Sequence, residues 1–454
     1  MVSSPSAPES TFQCLRDSSW RKRADVSQSM LNRIRRAFAD VFKPAATPTT
    51  PPSPALTRAG SKGVECRQLV SAIEGELSVR FSEAEIPAFE AITSLLNRKL
   101  RAEGTPSDTD GAESIVVICP DTHITLWPTR LAEAATGGGK SAILRLAMAW
   151  ARAGHPVTIA GAAVVEGEID GVAVRELSRA AGDYDVAIYV TGLLGHFKHP
   201  DIPRIRAHRR VLWQNPPQKV AFPPGNVPDW IVVPARFLAQ RGASEWGYPP
   251  ERIVVIPGEG VSRKLDPCSP VTRDDMAAVY ASHPDKGLAQ AVEVVRRVRR
   301  DYPLRLDVYG SRRLWNDADR AIPEGNYPEW VQFKGEVPPL QMPSVMAQYG
   351  VMLYVTSILD SFCPAVSEAL SAGVIVIASA HGANAEFIRH GWNGFLVPSN
   401  QLAPDLGRAE HLLRCYLASP ERFSAMRLRA IDSVPSWDEQ AAQWRQVWRS
   451  GVRL

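Results

Sequence analysis

The sequence contains no run of about 18 apolar residues, so it holds no candidate for a membrane-spanning helix. Its first residues, MVSSPSAPES, lack a basic segment followed by an apolar one, and no secretory signal is expected. Cysteine is scarce. Cys14, Cys66, Cys119, Cys268, Cys363 and Cys415 stand far apart, with none of the paired spacings of a zinc site or disulfide framework. Free thiols in a reducing compartment are expected. Charge is nearly balanced, at +4 over 454 residues, which gives little basis for a nucleic-acid partner, and none is expected. What remains is an ordinary globular composition, 45% hydrophobic and 22% charged, on a chain long enough for two or three domains.

Residues 1–65 are rich in Ser, Pro and Thr and are expected to be disordered. Within them, residues 20–43 place Val26, Met30, Ile34, Phe38 and Phe42 four apart, with arginines and lysines between. That is the pattern of a basic amphipathic helix, suited to an anionic membrane surface or to docking on a protein. Residues 66–112 read as a helical extension. From Ser114 onward, apolar strands alternate with amphipathic helices: "SIVVICP", "PVTIA", "DYDVAIYV", "RRVLW", "DWIVVP" and "RIVVIP", then "MAAVYAS", "LRLDVYG", "VMLYVTS", "VIVIAS" and "GFLVP". The alternation predicts an α/β fold with two parallel sheets covered on both faces. The loop near 258–273 divides them. Ligands of such sheets bind beyond the carboxyl ends of the strands, so two facing sheets share a cleft.

Ala134–Ser141 reads AATGGGKS, a relaxed phosphate-loop pattern. A phosphate loop follows directly on a buried strand, whereas here "DTHITLWPTRLAEAA" intervenes. The sequence therefore favours a different use of Gly137, Gly138 and Gly139. A backbone without Cβ atoms admits a ligand closely, and a helix beginning near Lys140 points its N–H groups at the loop. A plain turn is the alternative.

The densest segment is 351–398. Asp360 and Glu368 stand with seven residues between them, in "DSFCPAVSE". Pro364 suits a first helical turn, and the N–H groups of Ser361–Ala365 suit an anion such as a diphosphate. Glu368 can accept hydrogen bonds from a ribose diol and Asp360 from sugar hydroxyls. Equally, Asp360 suits a helix N-cap and Glu368 a solvated helix face. Lys286, in "HPDKG", supplies a point charge for a phosphate.

This segment resembles the C-terminal half of retaining GT-B glycosyltransferases of family 4, the glycosyl transferases group 1. "GGGKSAILRLAMAWARAGHPVTIAG", "PARFLAQRGASEWGYPPERIVVIPGEGV" and "YASHPDKGLAQAVEVVRRV" resemble, in order, the family's glycine loop, interdomain segment and donor-phosphate loop. The resemblance covers roughly residues 114–445. It implies two Rossmann-like domains facing across a cleft. The N-terminal acceptor domain would span 113–262 plus about 432–454, and the donor domain 263–431. It implies a retaining hexosyltransferase of polysaccharide or glycolipid biosynthesis, using a UDP- or GDP-sugar and a sugar, lipid-linked or protein acceptor.

The resemblance places Glu368 on ribose and Asp360 on the transferred sugar. It adds Ser282, His283, Gly310, Phe362, Cys363 and Pro364 to the donor site. The family's usual glutamate is shortened here to Asp360. No arginine precedes Lys286, so Ser282, His283, Arg312 or Arg313 is expected to share its work. Gln214 and Asn215 stand where relatives carry a histidine or aspartate, and His196 and His199 are further acceptor-side candidates. No D-x-D pair lies in a suitable loop, so no metal or other cofactor is expected. Trp437, Trp444 and Trp448 are expected to pack where the C-terminus crosses back onto the first domain. A nucleotide-sugar epimerase and a degenerate, non-catalytic binding protein with an envelope partner remain as alternatives. The location expected is cytoplasmic, with peripheral contact at the inner face of the membrane through residues 20–43. A vesicle-flotation assay tests that contact: the full chain should float with anionic vesicles and a chain lacking residues 1–60 should not.

Overall fold

The structure is a computed structural model. It describes residues 111–119, 130–133, 135–161, 166–191, 202–215, 217, 219–220, 228–258, 260–262, 264–265, 272–310, 326–399 and 403–450. The expectations for residues 1–65, for the basic helix at 20–43 and for the helical extension at 66–112 fall outside these residues, apart from 111 and 112. Among the described residues, no helix is long and apolar enough to cross a membrane.

The first sheet has eight strands. In chain order its elements are β1 (Ile115–Cys119), α1 (Gly138–Arg152), β2 (Val157–Gly161), β3 (Gly167–Ile169), β4 (Val172–Glu176), β5 (Gly182–Val190), β6 (Ile205–Trp213), β7 (Trp230–Val233), α2 (Arg236–Ser244) and β8 (Ile253–Val255). The strand order is β3-β4-β2-β1-β5-β6-β7-β8. β1 is buried at all five positions, which is why it reads as an unbroken apolar run instead of an alternating one. β3 departs from expectation. It pairs antiparallel with β4 through a turn at Asp170 (φ 51°) and Gly171 (φ 76°), so the sheet is mixed. Two successive positive φ values make a tight hairpin turn, for which the Asp-Gly pair is the local signal. The sequence reading ran from "PVTIA" straight to "DYDVAIYV" and missed both strands.

The second sheet has six strands, all parallel. Its elements are β9 (Asp274–Ala281), α3 (Leu288–Val298), β10 (Arg305–Tyr309), β11 (Val331–Gly335), α4 (Met342–Met346), β12 (Tyr349–Tyr354), α5 (Pro364–Ser371), β13 (Ile375–Ser379), α6 (Asn384–Phe387) and β14 (Phe395–Val397). Helices α7 (Leu406–Ala418), α8 (Ser424–Ser433) and α9 (Trp437–Ser450) follow. The order β11-β10-β9-β12-β13-β14 reverses direction between β9 and β12. The carboxyl ends at such a switch point open into a crevice. β11 was also missed. Helix α6 ends at Phe387, where the Asn393 side chain ties down both the Phe387 carbonyl and the Arg389 N–H.

Helix α9 packs on the first sheet. Trp437, Ala441, Trp444, Val447 and Trp448 join one buried cluster with Ile115, Val117, Trp150 and Trp213. The indoles of Trp150 and Trp448 meet edge to face at 5.6 Å, and those of Trp213 and Trp444 at 5.1 Å. Trp150 Nε1 donates to the Ala441 carbonyl. At the far end Glu113 accepts from Trp448 Nε1, Arg449 and Arg209, fixing α9 against the start of β1. Truncating Trp150 empties the centre of this cluster. Trp150→Ala should cost about 3–5 kcal/mol in urea unfolding.

Candidate active site

One cavity of about 910 Å³, counting its open mouth, lies where the carboxyl ends of the second sheet meet the start of α1. Thr136, Gly137, Gly138, Gly139 and Ser141 form one wall. Ser282 and Lys286 after β9, and Tyr309 and Gly310 at the end of β10, form the next. Phe362–Ala365 and Glu368 come from α5 and the loop before it, and Val337, Pro339 and Met342 from the segment after β11. The segment after β11 was not foreseen, because β11 itself was not.

Helix α1 begins at Gly138, two residues before the expected start, so Gly138 and Gly139 occupy its first turn. Lys140 is not on the cavity wall, which removes the phosphate-loop reading, since that motif needs its lysine at the phosphates. Gly138 faces Pro364: a Cβ there would lie 2.6 Å from Pro364 Cγ. Two helix N-termini thus meet at the cavity. The first turns of both α1 and α5 lack a side-chain cap. The positive dipole ends of both helices meet at this space, which favours an anion.

Lys286 adds a full charge to this cradle. Its Nζ donates to Asp360 Oδ1 at 3.1 Å and Oδ2 at 3.0 Å. Burial works against this ammonium, but Asp360 and Cys363 beside it more than offset that, and Lys286 titrates above the ordinary lysine value. Asp360 also accepts from the buried Tyr354 hydroxyl at 2.5 Å. The carboxylate is buried and does not line this cavity. The shorter side chain leaves it on Lys286. It is not a helix N-cap either, since Cys363 holds that position. Burial, with Asp360 adding to it, pushes the Cys363 thiol up to about 11.

Glu368 stands on the cavity wall but is nearly buried, not on a solvated face. Its partner is Arg145 of α1, whose Nη1 lies 3.3 Å from Glu368 Oε1. Arg145 Nη2 donates to the Pro339 carbonyl at 2.8 Å. Burial raises the Glu368 carboxyl above its ordinary value, and Arg145 only partly opposes this. The ionised carboxylate therefore costs the fold stability as pH rises from the unfolded value, about 4.3, through the folded one. Sequence reasoning missed Arg145. The available signal was a lone cation inside the wholly buried run Ser141–Ala147.

Other expected site residues fall elsewhere. His283 is not on the cavity wall; its Nδ1 accepts from the Asp285 N–H and caps the turn that carries Lys286. Gln214 is fully buried beside the Tyr248 hydroxyl and does not reach the cavity. Asn215 is off the wall too, its N–H donating to Thr191 Oγ1. The burial of Gln214 follows from its position at the end of a central strand. Ser361 is also off the wall. His196, His199, Arg312 and Arg313 lie outside the described residues.

Two Rossmann-like sheets meeting at an anion cradle define the GT-B fold. Residues 270–415, which hold the second sheet, match the family model described as Glycosyl transferases group 1. Three solved structures share the architecture. Anabaena HepE, crystallised with UDP and glucose, is 13% identical with a TM-score of 0.56, over 74% of this chain and 99% of that one. A glycosyltransferase from Rickettsia africae is 12% identical with a TM-score of 0.54, over 75% and 98%. Sucrose-phosphate synthase from Thermosynechococcus elongatus is 15% identical with a TM-score of 0.54, over 74% and 98%. No curated protein matches the sequence. The family match and the shared fold support a GT-B glycosyltransferase.

The contact at Gly138 is testable against its neighbour. Gly139 has nothing within 4 Å of a Cβ, whereas at Gly138 the Pro364 ring is in the way. Overpacking there should cost about 1–3 kcal/mol of cavity geometry, so Gly138→Ala should weaken nucleotide binding about tenfold or more. Gly139→Ala meets no protein atom and should gain up to about 1 kcal/mol of helix stability, so any binding it loses reports a ligand close to that backbone. Calorimetry with UDP and thermal unfolding of both variants check this.

Proposed function

We propose that the protein is a glycosyltransferase that moves a sugar from a nucleoside diphosphate sugar to a hydroxyl acceptor with retention of configuration. One observation carries this reading: two uncapped helix N-termini and Lys286 converge on a single cavity. A diphosphate is the anion that fits. The bond from the anomeric carbon to the phosphate oxygen breaks, and the charge left on the diphosphate is met by Lys286 and the first-turn amides of α1 and α5. The acceptor oxygen takes the anomeric carbon, and its proton passes to the departing phosphate. Glu368 receives the ribose diol. Asp360 orients Lys286. This arrangement supplies positive charge without a metal ion. HepE was crystallised with UDP-glucose, which supports uridine as the base. One observation favours the alternative of nucleotide binding without transfer: the Asp360 carboxylate is spent on Lys286 and Tyr354. Turnover of a UDP-sugar separates the two.

Nucleoside diphosphates and their sugars should be screened by thermal shift on the wild type and on Lys286→Met and Glu368→Ala. At about 100 times its Kd, a ligand of the folded state adds about 2.7 kcal/mol. UDP should stabilise the wild type by about that amount and neither variant. Because Lys286 titrates above the ordinary lysine value, UDP affinity should hold to about pH 10, with the ammonium charged throughout. No shift with any nucleotide would sink the reading.

A further inference from the structure

The Arg145–Glu368 pair is a poor device for stability. The two side chains are 5% and 11% exposed, and they share one hydrogen bond at 3.3 Å. Arg145 Nε is buried with no partner among the described residues. Apolar residues of similar volume often serve a fold as well as, or better than, a buried ion pair of this kind, and an orphaned donor makes the comparison worse. The pair has another property. Arg145 comes from the helix whose first turn forms one cavity wall, and both of its partners, Glu368 and the Pro339 carbonyl, stand on the opposite walls. Its fork leaves Glu368 Oε2 without a partner among the described residues.

We infer that Arg145 is a positioning residue for the nucleotide: it holds Glu368 Oε1 so that Oε2 receives the ribose diol, and does so only while α1 is seated against the Pro339 segment. The inference rests on the donor-site reading above. A planar guanidinium bridges two acceptors at fixed spacing, which an ammonium cannot do. Arg145 also favours the charged form of Glu368, the form that accepts from both hydroxyls of a diol. Few other groups act on that carboxylate. Lys286, Tyr309 and the Cys363 thiol share the cavity wall, and Lys286 is committed to Asp360. Helix α4 carries no titratable side chain. On β12, Tyr349 serves Asp307 and Tyr354 serves Asp360. On α8, Arg427 binds Asp275 and Tyr416, and Arg429 binds the Trp392 carbonyl; Asp432 completes the charged groups of that helix.

The test is UDP binding by calorimetry on the full chain, with GDP and ADP in parallel, across about pH 5 to 9, the range in which buried carboxylates titrate. Three variants are compared with the wild type: Arg145→Met, Arg145→Lys and the double variant Arg145→Met/Glu368→Leu. Relative to the wild type at the same pH, the loss of UDP affinity in Arg145→Met should be about tenfold or more greater at the acid end than at the alkaline end, because Glu368 then protonates more readily while the titration of the UDP phosphate cancels in the ratio. Arg145→Lys should restore part of the affinity. The double variant should unfold at or above the wild-type temperature yet bind no UDP at any pH in the range, because the ribose carboxylate is gone, which keeps loss of folding apart from loss of positioning. Wild-type affinity and pH profile in Arg145→Met would overturn the inference alone. A wild type that binds none of the three nucleotides would overturn the donor-site reading, and this inference with it.

Discussion

A side chain at position 138 would drive its Cβ into the ring of Pro364, and the geometry of the cavity follows from the absence of that atom. Because nothing stands between them, the first turn of α1 and the first turn of α5 reach the same small volume. Each helix brings its positive dipole end there, and neither spends a side chain on capping its first turn. The fold therefore builds its positive pole mainly from backbone, with Lys286 as the one cation placed on the wall among the described residues. A pole made of amides does not titrate, and it needs no reorganisation when negative charge arrives.

The acidic groups show the complementary economy. Asp360 and Glu368 look alike in the sequence, but the chain gives each a basic partner from a different place. Lys286 reaches Asp360 from within the second sheet. Arg145 reaches Glu368 from the first-sheet side. One carboxylate is withdrawn from the cavity and the other remains on its wall. What separates them is one methylene and the position of Tyr354, whose hydroxyl holds Asp360 in place.

Much of this was legible in the sequence. Buried strands announced themselves as apolar runs, and the glycine loop, Lys286 and the segment through Glu368 were marked by residue types with few other uses. Two kinds of feature were not legible. Edge strands β3 and β11 bury only part of their length and carry polar residues, so their signal is weak beside that of β1. Side chains whose partners lie far along the chain were the other kind. Arg145 and Glu368 are 223 residues apart, and no local pattern joins them. His283 shows the opposite case: its Nδ1 accepts from the Asp285 N–H only two residues away, a local turn contact.

Helix α2 starts at Ala235 without a side chain of its own to cap it. Its first two amides, of Arg236 and Phe237, instead donate to the carboxylate of Glu386, borrowed from α6 beside the second sheet. The helix is complete only when the two sheets are in register with each other. Any hinge-like parting would uncover those two N–H groups to solvent at once, while the rest of α2 stayed wound. The hydrogen-exchange rates of these two adjacent backbone amides would therefore report any such parting.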